Sequence, residues 1–305
     1  MTVLTWILAA AVVGGLLLAA VCLLFVLGGF FLARLVEALV PLGLLVWFLL
    51  HGRKNGRGWD KLEGVRYAHR GWHDKPAVPE NSLPAFRRAA EAGYGAELDV
   101  HLTKDGRLAV VHDSDLQRVC GQSGIVEDLT AAELAAYRLE ETEETIPFLE
   151  EVLPLFEDKA PLVVEVKPSR GNHGVLTRTT MECLDRFRAD YCVESFDPQV
   201  LVWLRRNRPE VLRGQLSQSY WKRPEGRPVW RRLALTQLLF NVVTRPDFVA
   251  YRFEDRKNVS VALCRWMGVR TVFWTIRSME ELLTAEAEGA LPIFERFDPK
   301  EETHL

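Results

Sequence analysis

Charge is what the start of this chain lacks. Residues 1–33 carry no charged side chain, and Arg34 and Glu37 are the only two in the first 50. A buried helix of a soluble protein rarely runs that far uncharged. A cleaved signal peptide fits poorly: there is no basic start, the apolar run is too long, and no small-residue cleavage pattern precedes the basic stretch that follows. Cysteine is scarce and odd in number (Cys22, Cys120, Cys183, Cys192, Cys264), with no CxxC pair, which excludes a disulfide scaffold. Excess positive charge is also missing. With 38 Lys+Arg against 41 Asp+Glu, a net of −3, a nucleic-acid partner is disfavoured. Internal repeats and low-complexity tracts are absent.

What is present is a water-soluble body. Of 79 charged side chains, 77 fall in the last 255 residues, about 30 %, the density of a globular domain. Hydrophobic residues at 48 % and nine Trp exclude disorder. The body is the size of one large domain or two small ones.

The oily block, residues 1–50, reads as a membrane anchor of one or two helices. As one helix, residues 1–33 alone would span about 50 Å, against a hydrocarbon core of about 30 Å. Gly28-Gly29 is the natural break. This predicts a hairpin, Leu4–Val26 out and Phe31–Leu50 back, with Arg34 and Glu37 one turn apart, able to pair, and Pro41 tolerated in the returning helix. The rival is one span followed by a helix lying on the surface. Arg53, Lys54, Arg57 and Lys61 then favour a cytoplasmic body at the cell membrane, and Gly52, Gly56 and Gly58 make residues 51–63 a short, flexible, basic tether.

From Val65 onward apolar runs alternate with helical patterns. Eight candidate barrel strands stand out: Val65–His69, Ala96–Val100, Leu162–Val166, Cys192–Ser195, Leu212–Leu216, Phe248–Tyr251, Thr271–Thr275 and Leu291–Phe294. Such alternation over about 240 residues predicts an α/β fold, a closed (β/α)8 TIM barrel. Ser82 is the expected N-cap of a helix with Pro84 in its first turn. Asp105-Gly106 is a hairpin signal, so residues 97–103 and 108–113 should run antiparallel; a two-residue turn would set Asp99 opposite His112.

Glu97 and Asp99 are two apart on a strand and share a face. Two inward carboxylates repel unless a cation lies between them, and a hard divalent ion does that with oxygen ligands. Glu165 and Lys167 repeat the pattern on another strand. Together these pairs point to a metal or phosphate site. His69 and His112 close their strands beside the carboxylates and suit paired proton transfer. Arg70 is a natural phosphate fork. His73 and His173 read as solvated loop residues.

The order HRG (69–71), PENS (79–82), ELDVHLTKDG (97–106), VVHD (110–113), IPFLEEVL (146–153), VEVK (164–167), SF (195–196) and WTI (274–276) resembles a glycerophosphodiester phosphodiesterase domain. The resemblance covers nearly all of residues 64–297, within a barrel domain bounded at 64–299. It implies a TIM barrel with an insertion after the second strand, about 110–147. It also implies metal-assisted cleavage of a phosphodiester to an alcohol and glycerol 3-phosphate. Carried over by motif, the acid/base histidines are His69 and His112, with His69 as base, and the metal carboxylates are Glu97, Asp99 and Glu165. Arg70 and Lys167 contact phosphate, Glu80 is a ligand or orienting group, and Trp274 is a pocket wall or plain packing. Oxygen-only ligands suit Mg2+ or Ca2+. Water attack and a cyclic-phosphate route both stay open. The substrate is a small-molecule or lipid-derived phosphodiester; lysophospholipase D action and a non-catalytic binding barrel are the alternatives. A membrane is the other partner, and no protein partner is implied. The chain departs from the family pattern at GALPIFERFDP (289–299) and at His101.

A second membrane contact is expected at Tyr220–Val243, where Trp221, Trp230, Lys222, Arg223, Arg227, Arg231 and Arg232 precede an apolar helix. The competing reading is an ordinary barrel helix with a basic loop.

Overall fold

The computed structural model describes residues 3–53 and 58–300, with side chains from Gly14 on. It divides into two compact units, residues 1–49 and residues 50–305.

The first unit is one α-helix, Val3–Leu50. It runs unbroken through Gly28-Gly29 and Pro41, so the expected hairpin break is absent. Two glycines weaken a helix by only about 1 kcal/mol each, and no turn-forming polar residue accompanies them. Arg34 and Glu37 do pair, Nη1 to Oε2 at 2.8 Å. The helix has the length and apolar composition to cross a membrane.

The second unit is built on nine strands: β1 (Tyr67–Ala68), β2 (Gly95–Leu102), β3 (Leu108–Val110), β4 (Leu162–Val166), β5 (Tyr191–Ser195), β6 (Arg213–Ser217), β7 (Phe248–Arg252), β8 (Arg270–Ile276) and β9 (Leu291–Phe294). Eight of them pair in parallel, and β1 bonds to both β2 and β9, which closes a (β/α)8 barrel. These are the eight strands the alternation predicts. Ser82 caps the helix Leu83–Glu91, its hydroxyl accepting from the Ala85 amide.

Inward-facing residues form layers. Tyr67, Val163, Cys192, Phe248, Val272 and Ile293 pack as a buried apolar lower layer. The period of two then carries the next inward positions, His69, Glu165, Glu194, Trp274 and Glu295, toward the carboxyl ends of the strands.

Of the stretch 51–63, the described parts, residues 51–53 and 58–63, are not a free tether. Trp59 and Leu62 are buried in the barrel floor, with the Trp59 ring 5.6 Å from Phe248. Arg53 Nε donates to Asp247 at 2.6 Å, and its amide donates to the Pro246 carbonyl. Apolar burial of a large indole outweighs the freedom of the neighbouring glycines. Lys54, Gly56 and Arg57 lie outside the described residues.

The β2–β3 hairpin is antiparallel as expected but shifted by one residue. Val100 pairs with Val110, so Asp99 faces Val111 and not His112. The loop has three residues, closed by the Thr103 amide on the Arg107 carbonyl, with Gly106 at φ 84°. Glycine takes that left-handed position without strain. Beyond β3 the chain builds a small cluster of its own from Leu116, Val119, Val126, Leu134, Leu139 and Ile146.

Candidate active site

β1 delivers His69 to the catalytic end, and the chain then reverses. Arg70 and Gly71 have φ of 55° and 77°. A Cβ on Gly71 would meet the Ala85 backbone at 2.9 Å, so only glycine fits. The reversal aims the Arg70 amide at Glu97 Oε2, 3.0 Å away. The Arg70 guanidinium reaches Glu80 at 2.8 Å and Asp99 at 3.6 Å. Asn81, also left-handed, donates its side-chain amide to Asp99 Oδ2 at 2.9 Å.

Glu97, Asp99 and Glu165 are all buried and bring one oxygen each within 4.8 Å of one another. Asp99 is level with Glu165, and Glu165 with Glu194, across β2, β4 and β5. Lys167 Nζ sits 3.2 Å from Asp99 and 3.3 Å from Glu165. Burial pushes Glu97 well above the usual carboxylate range, and the charges of Asp99 and Glu165 push it further. Burial likewise raises Glu165 and Glu194. Burial also opposes ionisation of Asp99, but Lys167, His112, Arg70 and Asn81 outweigh it and hold Asp99 well below that range. Four carboxylates therefore meet two cations. One Glu194 oxygen is buried without a hydrogen-bond partner. A buried cluster short of positive charge, with oxygen donors only, fits a hard divalent ion.

His69 is held down to about 4 by burial and by the Arg70 charge, against the opposite pull of Glu295. Its Nε2 is 3.8 Å from Glu97 and its Nδ1 3.6 Å from Glu295. The ring is thus neutral near pH 7. His112 bonds through Nδ1 to Asp113 at 2.6 Å, and Arg118 bonds both Asp113 and Glu80. Glu80 collects Arg70, Lys75 and Arg118; burial works against its charge, but these cations hold it far below the usual range. Glu80 thus ties Arg70 to Lys75 and Arg118.

Lysine, arginine and aromatic side chains surround the carboxylates. A cavity of about 590 Å³ opens above them, lined by His69, Arg70, His112, Lys167, Tyr220 and Trp274 among others. Trp274 packs edge-on to Phe196 at 5.6 Å and under Arg252 at 5.5 Å, so it forms wall and packing at once.

Residues 69–294 match the model of the glycerophosphoryl diester phosphodiesterase family. The chain belongs to this family. A glycerophosphodiester phosphodiesterase of Caldanaerobacter subterraneus is 30 % identical over 238 residues, covering 73 % of this chain and 91 % of that one. A lysophospholipase D of Rattus norvegicus is 31 % identical over 186 residues, 57 % of this chain and 54 % of that enzyme. A phosphodiesterase from Oleispira antarctica, solved with the product sn-glycerol-3-phosphate, superposes with a TM-score of 0.63 at 22 % identity, covering 77 % of this chain and 93 % of that one. At that identity the likeness is one of fold. Membership makes the chain a phosphodiesterase.

All nine residues singled out in the sequence meet at this end of the barrel. Two histidine readings need correction. His73 is buried, not solvated, with Nε2 3.6 Å from Glu295. His173 opens the helix His173–Leu184 and is half-buried. Glu194, Glu295, Asn81, Asp113 and Arg118 were missed. Glu194 and Glu295 each lie two residues beyond an inward apolar position, and that parity was the available signal. The two departures from the family pattern also gain contacts. Glu295 faces both His69 and His73. His101 bonds Glu127 at 2.8 Å and the His112 carbonyl at 3.3 Å, which fixes the backbone that carries His112.

Proposed function

We propose that the chain hydrolyses glycerophosphodiesters to an alcohol and glycerol 3-phosphate by histidine acid/base catalysis at a divalent-metal site. The observation that carries this is the convergence of Glu97, Asp99 and Glu165 within 4.8 Å beside a neutral, partly buried His69. These three carboxylates would hold Mg2+ or Ca2+, and Glu194 lies next to them. When bound, the ion supplies positive charge at the phosphoryl oxygens, which carry more negative charge in the transition state.

The rest falls to the chain's own residues. His69 takes the proton of the attacking hydroxyl, since its ring is neutral near pH 7. Asp113 fixes one nitrogen of His112 and leaves Nε2 to give a proton to the departing alkoxide. Arg70 and Lys167 neutralise the diester's phosphate oxygens. Glu80 holds Arg70 in place, with Lys75 and Arg118 sharing its charge. Trp274 and Phe196 form an apolar wall for the alcohol portion.

We read the helix Val3–Leu50 as a membrane anchor, and the basic residues after it favour a cytoplasmic barrel. A lipid-derived diester is then near at hand. Likeness to a lysophospholipase D supports a second reading, release of a head group from membrane lysophospholipids.

The test is product analysis. The full chain in detergent should release choline and glycerol 3-phosphate from glycerophosphocholine, or choline and lysophosphatidic acid from lysophosphatidylcholine, with turnover stopped by chelator. Absence of both product pairs with Mg2+ and Ca2+ present rejects the reading.

A further inference from the structure

The chain after β6 leaves an apolar face uncovered beside the cavity mouth. Residues 219–232 carry five basic side chains (Lys222, Arg223, Arg227, Arg231, Arg232) against one acid, Glu225. The helix that follows, Val229–Thr236, places Val229, Trp230 and Leu233 at positions i, i+1 and i+4, on one face. All three are exposed, Trp230 by 65 %. Trp221 is exposed too, with the Arg232 guanidinium 5.2 Å from its ring centre. The same segment turns Arg227, Arg231 and Leu235 into the cavity wall. Face and mouth are therefore continuous.

The charges decide what covers this face. Lys222 and Arg223 are tied to Asp255, and Arg227 to Glu225. Arg231 and Arg232 have no carboxylate partner among the described residues. A second copy docked face to face would set arginine against arginine. An anionic bilayer complements both features: indole and leucine enter the acyl boundary, and guanidiniums without a carboxylate partner meet lipid phosphates.

We infer that this face docks the barrel mouth on an anionic phospholipid bilayer, so that the diester is drawn directly from the membrane surface. The substrate half of the statement rests on the phosphodiesterase reading; the docking half does not.

The test uses the full chain, wild type and the Trp230→Ser/Leu233→Ser variant, in nanodiscs of phosphatidylcholine alone or mixed with phosphatidylglycerol. Hydrogen exchange reads docking without reference to activity. Residues 219–233 should exchange about tenfold more slowly in the anionic discs, and the variant should lose that protection. Turnover of a lipid-embedded lysophospholipid should fall about tenfold in the variant, with soluble glycerophosphocholine turnover within about twofold of wild type. Trp230→Phe should keep both protection and turnover. Protection indifferent to lipid charge, or protection that rises with protein concentration in detergent, overturns the docking. Equal loss on both substrates makes the two residues structural and overturns it as well. Protection without turnover on either substrate leaves docking standing and removes the phosphodiesterase reading instead.

Discussion

Glu165 and Glu194 stand level on the neighbouring parallel strands β4 and β5, both buried. Burial raises both above the usual carboxylate range, and the Glu165 charge adds to the push on Glu194. Two acids buried level with each other favour a cation between them.

The first prediction concerns that pair. Glu194→Gln removes one of the four carboxylates. The ion-free protein should gain stability at neutral pH, and divalent affinity should weaken about 10- to 100-fold. Thermal unfolding of the full chain with and without Mg2+ or Ca2+ reads both. Lower stability with unchanged affinity would show that Glu194 neither repels its neighbours nor faces the ion.

A second prediction separates the histidines. If His112 protonates the leaving group, His112→Gln should cost about 10²–10⁴ in turnover on an alkyl diester. The loss should shrink on a p-nitrophenyl diester, whose phenolate leaves unprotonated. His69→Gln should hurt both substrates alike. Equal losses for the His112 variant on the two diesters would remove its role as acid.

The third concerns pH. His69 is depressed in the folded chain, to about 4, from about 6.5 when unfolded. The unfolded chain therefore takes up a proton that the folded chain refuses between those values. The stability linked to His69 is present above about pH 6.5 and is lost as pH falls toward 4. The acidic limb of kcat/KM should accordingly lie below the free imidazole value. An acidic limb above about pH 6.5 would mean that His69 is not the base or is not buried during turnover.

A fourth addresses the barrel floor. Trp59→Ala should destabilise by about 3–5 kcal/mol, read as a fall in the thermal midpoint. A change under about 0.5 kcal/mol, typical of a surface position, would return residues 51–63 to the status of a tether.

Much of the fold was legible, because each barrel strand is an apolar run bounded by turn residues. Glu97, Asp99 and Glu165 were legible too, since paired charges inside such runs are otherwise unexplained. Three things were not. Register at Asp105-Gly106 depended on whether the loop held two residues or three, which a left-handed Gly106 decides and the dipeptide alone does not. Trp59 sits in a glycine-rich, basic stretch whose composition hides one large buried side chain. Glu194 is the single acid on β5 and Glu295 lies one residue past β9, and a lone acid is read as solvated unless strand parity is followed upward from Cys192 and Ile293. His73 is buried beside Glu295, a contact more than 200 residues away in sequence that local composition does not announce.

The central claim is that the buried acids are built for a dication. Calorimetric titration of the chelator-treated full chain in detergent, at several pH values about neutral, tests it most directly. The account predicts one Mg2+ or Ca2+ per chain, bound more tightly as pH rises, because burial and mutual repulsion raise Glu97 and Glu165. Binding should be lost in Glu97→Gln and in Glu165→Gln, and hydrolysis should return in step with occupancy. Full activity after chelation, or ion binding unchanged in both variants, would contradict it.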